Sequence, residues 1–123
     1  MDHEIGRRFA EAVAKKDRDG LLAVLDPALD VRALTPGRCW EPTSATEFVD
    51  DVVLGAWFEP ADHIDELVRV ETDDMADRLR VSYRFQVTNG DGTFLVEQQA
   101  YVGTTADRIS WLRILCSGFR PAG

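Results

Sequence analysis

Over residues 78–87 apolar and polar side chains alternate without a break, Leu79, Val81, Tyr83, Phe85 and Val87 against Arg78, Arg80, Ser82, Arg84 and Gln86. A strand sends successive side chains to opposite faces, so this run predicts a half-buried strand and a sheet that must be covered on one side. Asn89-Gly90-Asp91-Gly92 supplies a tight turn, because Asn and Gly tolerate the positive φ that hairpins require. A second strand is expected over 93–102, carrying Phe94, Leu95, Val96, Gln98, Gln99, Ala100 and Tyr101. A polar turn, Thr104-Thr105-Ala106-Asp107, leads into a third over 109–116 with Trp111, Leu112, Ile114 and Leu115. The three make an antiparallel sheet that the upstream chain is built to cover.

That upstream chain reads as helices. Asp2 caps a first one in which Ile5, Phe9, Ala12 and Val13 form an apolar stripe, and Lys15 and Lys16 suit the negative end of its dipole. His3 falls at its fraying start. Asp17 or Asp19 caps a short second helix packed by Leu21, Leu22, Val24 and Leu25 and stopped by Pro27. A small hairpin follows, residues 31–34 and 38–41 around the turn Thr35-Pro36-Gly37. Ser44 and Glu47 form a capping box for a third helix with Phe48, Val49, Val52, Val53, Ala56 and Trp57 at helical spacing, ending before Pro60. Residues 64–72 make a fourth long strand. Helices segregated on one face of a curved sheet define an α+β class.

At 123 residues and 45% hydrophobic, the chain is expected to be one domain, 1–123, with a sizeable core. Its formal charge of −8 argues against a surface for nucleic acid, which needs clustered Lys and Arg. No apolar run approaches the roughly 18 residues that cross a bilayer, and Met1-Asp2-His3-Glu4 lacks the basic start of a leader, so no membrane association and a cytoplasmic location are expected. Cys39 and Cys116 have no metal-type spacing and read as reduced thiols. No Ser-His-Asp set, phosphate loop or His/carboxylate cluster is visible, so neither a metal nor a nucleotide cofactor is expected.

The chain resembles the nuclear-transport-factor-2-like (NTF2-like, cystatin-like) superfamily, in its SnoaL-like branch of polyketide cyclases and ketosteroid isomerases. The resemblance lies in the first helix followed by Lys16-Asp17-Arg18-Asp19-Gly20-Leu21-Leu22, the Pro36-Gly37 turn before the capped helix, and the closing Asp107-Arg108-Ile109 strand. It implies a cone in which three N-terminal helices and a curved antiparallel sheet enclose a pocket for a small, mostly apolar or polyketide-like molecule, and a homodimer formed through the outer sheet face. Fold alone gives no reaction.

Such a pocket would be walled by Phe9 and Val13 of the first helix, Phe48, Val52 and Trp57 of the third, Trp40 of the hairpin, and Tyr83, Phe85 and Tyr101 of the sheet. Each also fits a plain packing role; together they have the composition of a ligand cleft. Gln98 and Gln99 are adjacent in a strand, so one must point inward. Bulge-free pairing across residues 89–92 puts Gln98 beside Tyr83. The resemblance implies instead that Gln99 and Tyr101 face the pocket, with Leu112, Ile114 and Cys116 on the next strand, and this arrangement is the one expected. Arg32 falls where relatives carry a catalytic carboxylate, and reads otherwise as a solvent-facing strand arginine. Glu41 and His63 each fit either a place at the pocket's rim or the open surface.

The resemblance also marks what is missing. Phe9 stands where the isomerases carry a tyrosine donor, Gln99 where they carry an aspartic acid, residues 32–34, about where their base falls, include no carboxylate, and the acidic residue that closes the last strand in the cyclases falls close to Ser117. Catalysis by the relatives' mechanism is therefore not expected. On the sheet's other face Arg78, Arg80, Arg84 and Gln86, with Trp111 and Arg113, suit either solvent with Glu66 or Glu71 as ion-pair partners, or a symmetric interface. The readings left open are a ligand-binding pocket protein, an enzyme of cyclase, isomerase or dehydratase type with unusual catalytic residues, and a structural dimerisation domain filled by its own side chains.

Overall fold

The computed structural model describes residues 2–122. Helix α1, His3–Ala14, is capped by Asp2 accepting from the Glu4 amide, and buries Ile5, Gly6, Phe9, Ala10, Ala12 and Val13. It lies against β3 and β4, the strands His63–Met75 and Arg78–Asn89. The fit is close enough that a Cβ on Gly6 would stand 2.4 Å from Val81 Cγ2. The first turn does not fray, because the His3 ring bonds Thr72 Oγ1 at 3.0 Å and Asp74 Oδ1 at 2.8 Å on β3. Lys16, in the left-handed conformation (φ 49°), sends its ammonium to the carbonyls of Glu59 and Asp62.

Helix α2, Arg18–Val24, is capped by Asp17 accepting from Gly20 N. Strand β1, Leu25–Thr35, starts immediately after it, so Leu25 belongs to the sheet instead of the helix. Pro27 sits where pairing with β6 (Arg108–Cys116) lapses between Leu25 and Asp30, a place that suits a residue with no N–H to give a ladder. Strand β2, Arg38–Trp40, closes the small hairpin with Ala33 opposite Trp40. The third helix, α3, starts as an α-turn, Ala45–Glu47, with Ser44 Oγ accepting from Glu47 N at 3.1 Å. The Glu47 carboxylate does not reach back to complete the capping box; it accepts from Thr43 Oγ1. From Phe48 to Trp57 the helix widens into π geometry, with i→i+5 bonding that continues to Phe58 N and Val53 O at 2.9 Å. Arg18 of α2 clasps the Asp50 carboxylate in two bonds of 2.7 and 3.1 Å, which tie α2 to α3.

Strand β5, Gly92–Thr105, and the short β7, Arg120–Pro121, complete a curved, unclosed sheet in the order β2-β1-β6-β5-β4-β3, with β7 on β5 beyond the end of β6. The sheet is antiparallel in every pairing except β1 with β6, which is parallel, so it is mixed. One hydrophobic cluster fills the space between helices and sheet, with Leu79, Val81, Phe85, Val87, Val102, Leu112 and the α3 face of Phe48, Val49 and Val53 almost wholly buried. The architecture is the expected α+β one, three helices on a curved sheet. No helix among the described residues is long and apolar enough to cross a membrane.

Candidate functional site

The strand registers decide which side chains reach the interior. β4 and β5 pair without a bulge from the turn onward, Tyr83 opposite Gln98 and Val81 opposite Ala100. The inner row of β5 is therefore Val96, Gln98, Ala100 and Val102. The one irregularity between β5 and β6 falls at Gly103/Thr104, past the residues in question. Gln98 is 3% exposed, whereas Gln99 and Tyr101 lie on the opposite face, the Tyr101 hydroxyl 3.4 Å from Gln99 Oε1. The expectation for Gln99 and Tyr101 is thus corrected: the amide inside is Gln98, as pairing of the hairpin alone implies. Arg32 is corrected for the same reason, since Val31 and Ala33 pair with the inward Leu112 and Ile114 and turn Arg32 out beside Arg113.

The other expected residues come together. Phe9, Val13, Phe48, Val52, Trp57, Tyr83, Phe85, Leu112 and Ile114 are all buried, and Cys116 is partly so. Two aromatic groups organise them. Phe9 meets Tyr83 edge-on at 6.2 Å, Tyr83 lies 5.3 Å from Phe85, and Phe85 meets the edge of Phe58 at 5.7 Å. Trp57 is met edge-on by Phe48 at 5.9 Å and by Trp40 at 6.4 Å. Phe58, buried at the end of α3, belongs to this wall and carries no periodic signal, because it follows the last helical residue.

A polar line crosses the apolar interior. The Tyr83 hydroxyl donates to Gln98 Oε1 at 2.7 Å, and Gln98 Nε2 donates to Cys116 Sγ at 3.4 Å, as does Gly118 N at the same distance. Burial pushes the Tyr83 phenol well above its ordinary value, with the Cys116 sulfur adding to the effect, so Tyr83 stays a neutral donor. Asp62, the other buried polar or charged residue among those described, holds the loop after α3 by accepting from Glu59 N and Asn89 Nδ2, both at 2.9 Å. His63 is exposed, 3.5 Å from Asp65. The polar line thus offers, among the described residues, hydrogen-bond donors and a thiol, and the one buried carboxylate, Asp62, already has both oxygens engaged in holding its loop. Among the described residues no group of three or more His, Cys, Asp or Glu could hold a metal ion.

Open space lies around this core. A hollow of about 350 Å³ between β2 and α3 has Trp40 and Val52 in its wall. The outer sheet face carries another, about 370 Å³, bordered by Arg32, Leu34, Tyr101, Arg113 and Leu115. On the same face the guanidiniums of Arg78 and Arg113 stack on Trp111 at 4.1 and 4.5 Å, Arg84 pairs with Glu97, and Arg80 with Asp73 at 3.5 Å.

Neither a protein-family model nor a curated protein matches the sequence. Solved structures do match the fold. An NTF2-like protein from Burkholderia thailandensis superimposes with a TM-score of 0.68 at 18% identity, covering 94% of this chain and 89% of that one. A protein with a ketosteroid isomerase-like fold from Catenulispora acidiphila gives 0.65 at 12% identity, covering 95% and 88%. A SnoaL-like family protein from Agrobacterium tumefaciens gives 0.58 at 16%, covering 94% and 96%. The chain has the NTF2-like fold, that of the SnoaL-like and ketosteroid isomerase-like structures.

Proposed function

We propose that this protein takes up a small, mostly apolar molecule between α1, α3 and the inner face of the sheet. The observation that carries this reading is the line Tyr83–Gln98–Cys116. A primary amide has two donor hydrogens and two acceptor lone pairs. Gln98 uses one lone pair on Tyr83 and one hydrogen on a sulfur, a weak acceptor. A core made only to fill itself gains nothing from such a group, since leaving polar capacity unsatisfied inside costs free energy. A ligand with one polar substituent uses it. Packed aromatic walls must then part on binding, through side-chain rotation or a shift of α3. The reducing cytoplasm is proposed as its location, on the two free thiols Cys39 and Cys116.

Titration with a panel of aromatic and polyketide-like compounds, followed by tryptophan emission, tests the reading. A saturable change is expected, reduced in Trp57→Ala and weakened in Gln98→Leu. No saturable response from any compound in the wild type refutes it.

A second reading, a dimerisation domain with a filled interior, draws on a different observation. Leu34 and Leu115 are 50% and 49% exposed and stand side by side in register on β1 and β6, at the edge of the outer hollow. The partner that fits is a second copy of the chain, pairing face to face about a twofold axis.

A further inference from the structure

Among the described residues Trp57 Nε1 is the one buried side-chain nitrogen or oxygen with no hydrogen-bond partner, in a side chain 9% exposed. A buried indole N–H normally finds an acceptor. The neighbouring tryptophan shows the usual case, for Trp40 Nε1 donates to Thr35 Oγ1 at 2.8 Å. Trp57 does not line the cleft between β2 and α3 but adjoins it through Trp40. Val52, one π-turn before it on the same helix face, lines that cleft, and Trp40, whose ring meets Trp57 edge-on, lines it too. Arg38 lines the cleft as well, its guanidinium 3.5 Å above the Trp40 ring. Glu41, Glu47 and Asp51 share the rim, so carboxylates outnumber the single cation there.

We infer that Trp57 Nε1 donates a hydrogen bond to an oxygen of the bound molecule, which is a flat, apolar, uncharged compound bearing a carbonyl or ether oxygen and entering between β2 and α3. The inference rests on the ligand-binding reading above and names the class of ligand. An aromatic body replaces Arg38 against Trp40 and reaches the edges of Phe48 and Trp57. The oxygen then satisfies the N–H, and the acidic rim repels an anionic analogue.

Three probes of one shape separate the possibilities: 2-acetonaphthone, 2-isopropenylnaphthalene, in which a methylene replaces the carbonyl oxygen, and 2-naphthoate. Binding to 15N-labelled protein is followed through the indole resonances, with Trp57 assigned by its loss in Trp57→Phe. The ketone is expected to bind about 5- to 100-fold tighter than the hydrocarbon, the gain from pairing a buried donor, and to move the Trp57 indole proton downfield. Trp57→Phe should abolish the preference while still binding the hydrocarbon, which also shows that the variant is folded. Naphthoate should bind weakest. Equal binding of ketone and hydrocarbon, or a preference that survives in Trp57→Phe, overturns this inference and leaves the ligand-binding reading standing. A Trp57 proton already downfield in the free protein and unmoved by bound ketone also overturns it, since the partner is then a held water. Absence of binding by all three at millimolar concentration overturns this inference; the ligand-binding reading falls only if the broader panel fails as well.

Discussion

Tyr83 is the residue on which the interior's polarity turns. It is fully buried, and its hydroxyl fixes which way the Gln98 amide faces, because the oxygen that accepts from Tyr83 leaves the nitrogen toward Cys116. Tyr83→Phe strands Gln98 Oε1 and should cost about 1–3 kcal/mol of stability. Gln98→Leu combined with Tyr83→Phe should cost less than the sum of the two single changes, since it removes both ends of the bond; urea denaturation of the four proteins measures the coupling. The phenol also predicts a pH effect. Its value in the folded chain is raised, so the folded state holds its proton after the unfolded state has lost its own near pH 10. Stability contributed by Tyr83 is thus present below that pH and falls as pH rises above it. Tyr83→Phe should show a shallower loss above pH 10 in the same denaturation series.

At the scale of elements, α3 is the one that departs from its ordinary form. Ten residues in π geometry sacrifice tight i→i+4 bonding, and π segments, which are rare, are frequent at functional sites. Here the wider winding keeps Phe48, Val49, Val52, Val53 and Trp57 all against the interior. Gly55 permits it: a Cβ there would stand 2.8 Å from the Asp50 carbonyl oxygen. In an ordinary helix interior Gly→Ala gains about 0.5–1 kcal/mol. Gly55→Ala should instead destabilise, by about 1–3 kcal/mol as for other overpacked sites, and thermal unfolding decides the sign. A stabilised variant would mean that α3 rewinds readily to α geometry.

At the scale of the molecule, assembly is proposed to run through the outer sheet face. Arg78, Arg80, Arg84 and Arg113 on it are paired or stacked, and Leu34, Leu115 and the adjoining hollow form an exposed apolar part. A homodimer through this face is expected in sedimentation at tens of micromolar protein, a working range of about 10⁻⁵ M for a weak interface. Leu34→Asp with Leu115→Lys should give a monomer of unchanged fold; a wild-type monomer at that concentration argues against the interface. Chemistry at this scale is predicted to be absent for the relatives' substrate. With Asp62, both of whose oxygens are engaged, as the one buried carboxylate among the described residues, Δ5-3-ketosteroid should not be turned over appreciably, since loss of the base alone costs on the order of 10² to 10⁴ in rate. Turnover unaffected by Gln98→Leu would place the site elsewhere.

Much of this was written in local periodicity. Alternation over 78–87 determined β4 and its inner face residue by residue, the 3.6-residue stripe determined α1, and Asn-Gly, Pro-Gly and Ser44 marked turns and a helix start, because those signals act within a few residues of chain. The buried identities of Phe9, Val13, Phe48, Trp57 and Leu112 followed directly. What local pattern did not carry was anything set by pairing between distant segments. The parallel seam of β1 on β6 joins residues some eighty positions apart and turned Arg32 outward. The bulge-free β4–β5 register chose Gln98 over Gln99, a decision worth one residue that reverses a whole face. His3 is bonded to a strand far along the chain, and the π winding of α3 has no mark in a sequence whose spacing fits an α-helix equally well. Whether Trp57 finds an acceptor is likewise a matter of what surrounds it in space, which only the folded chain decides.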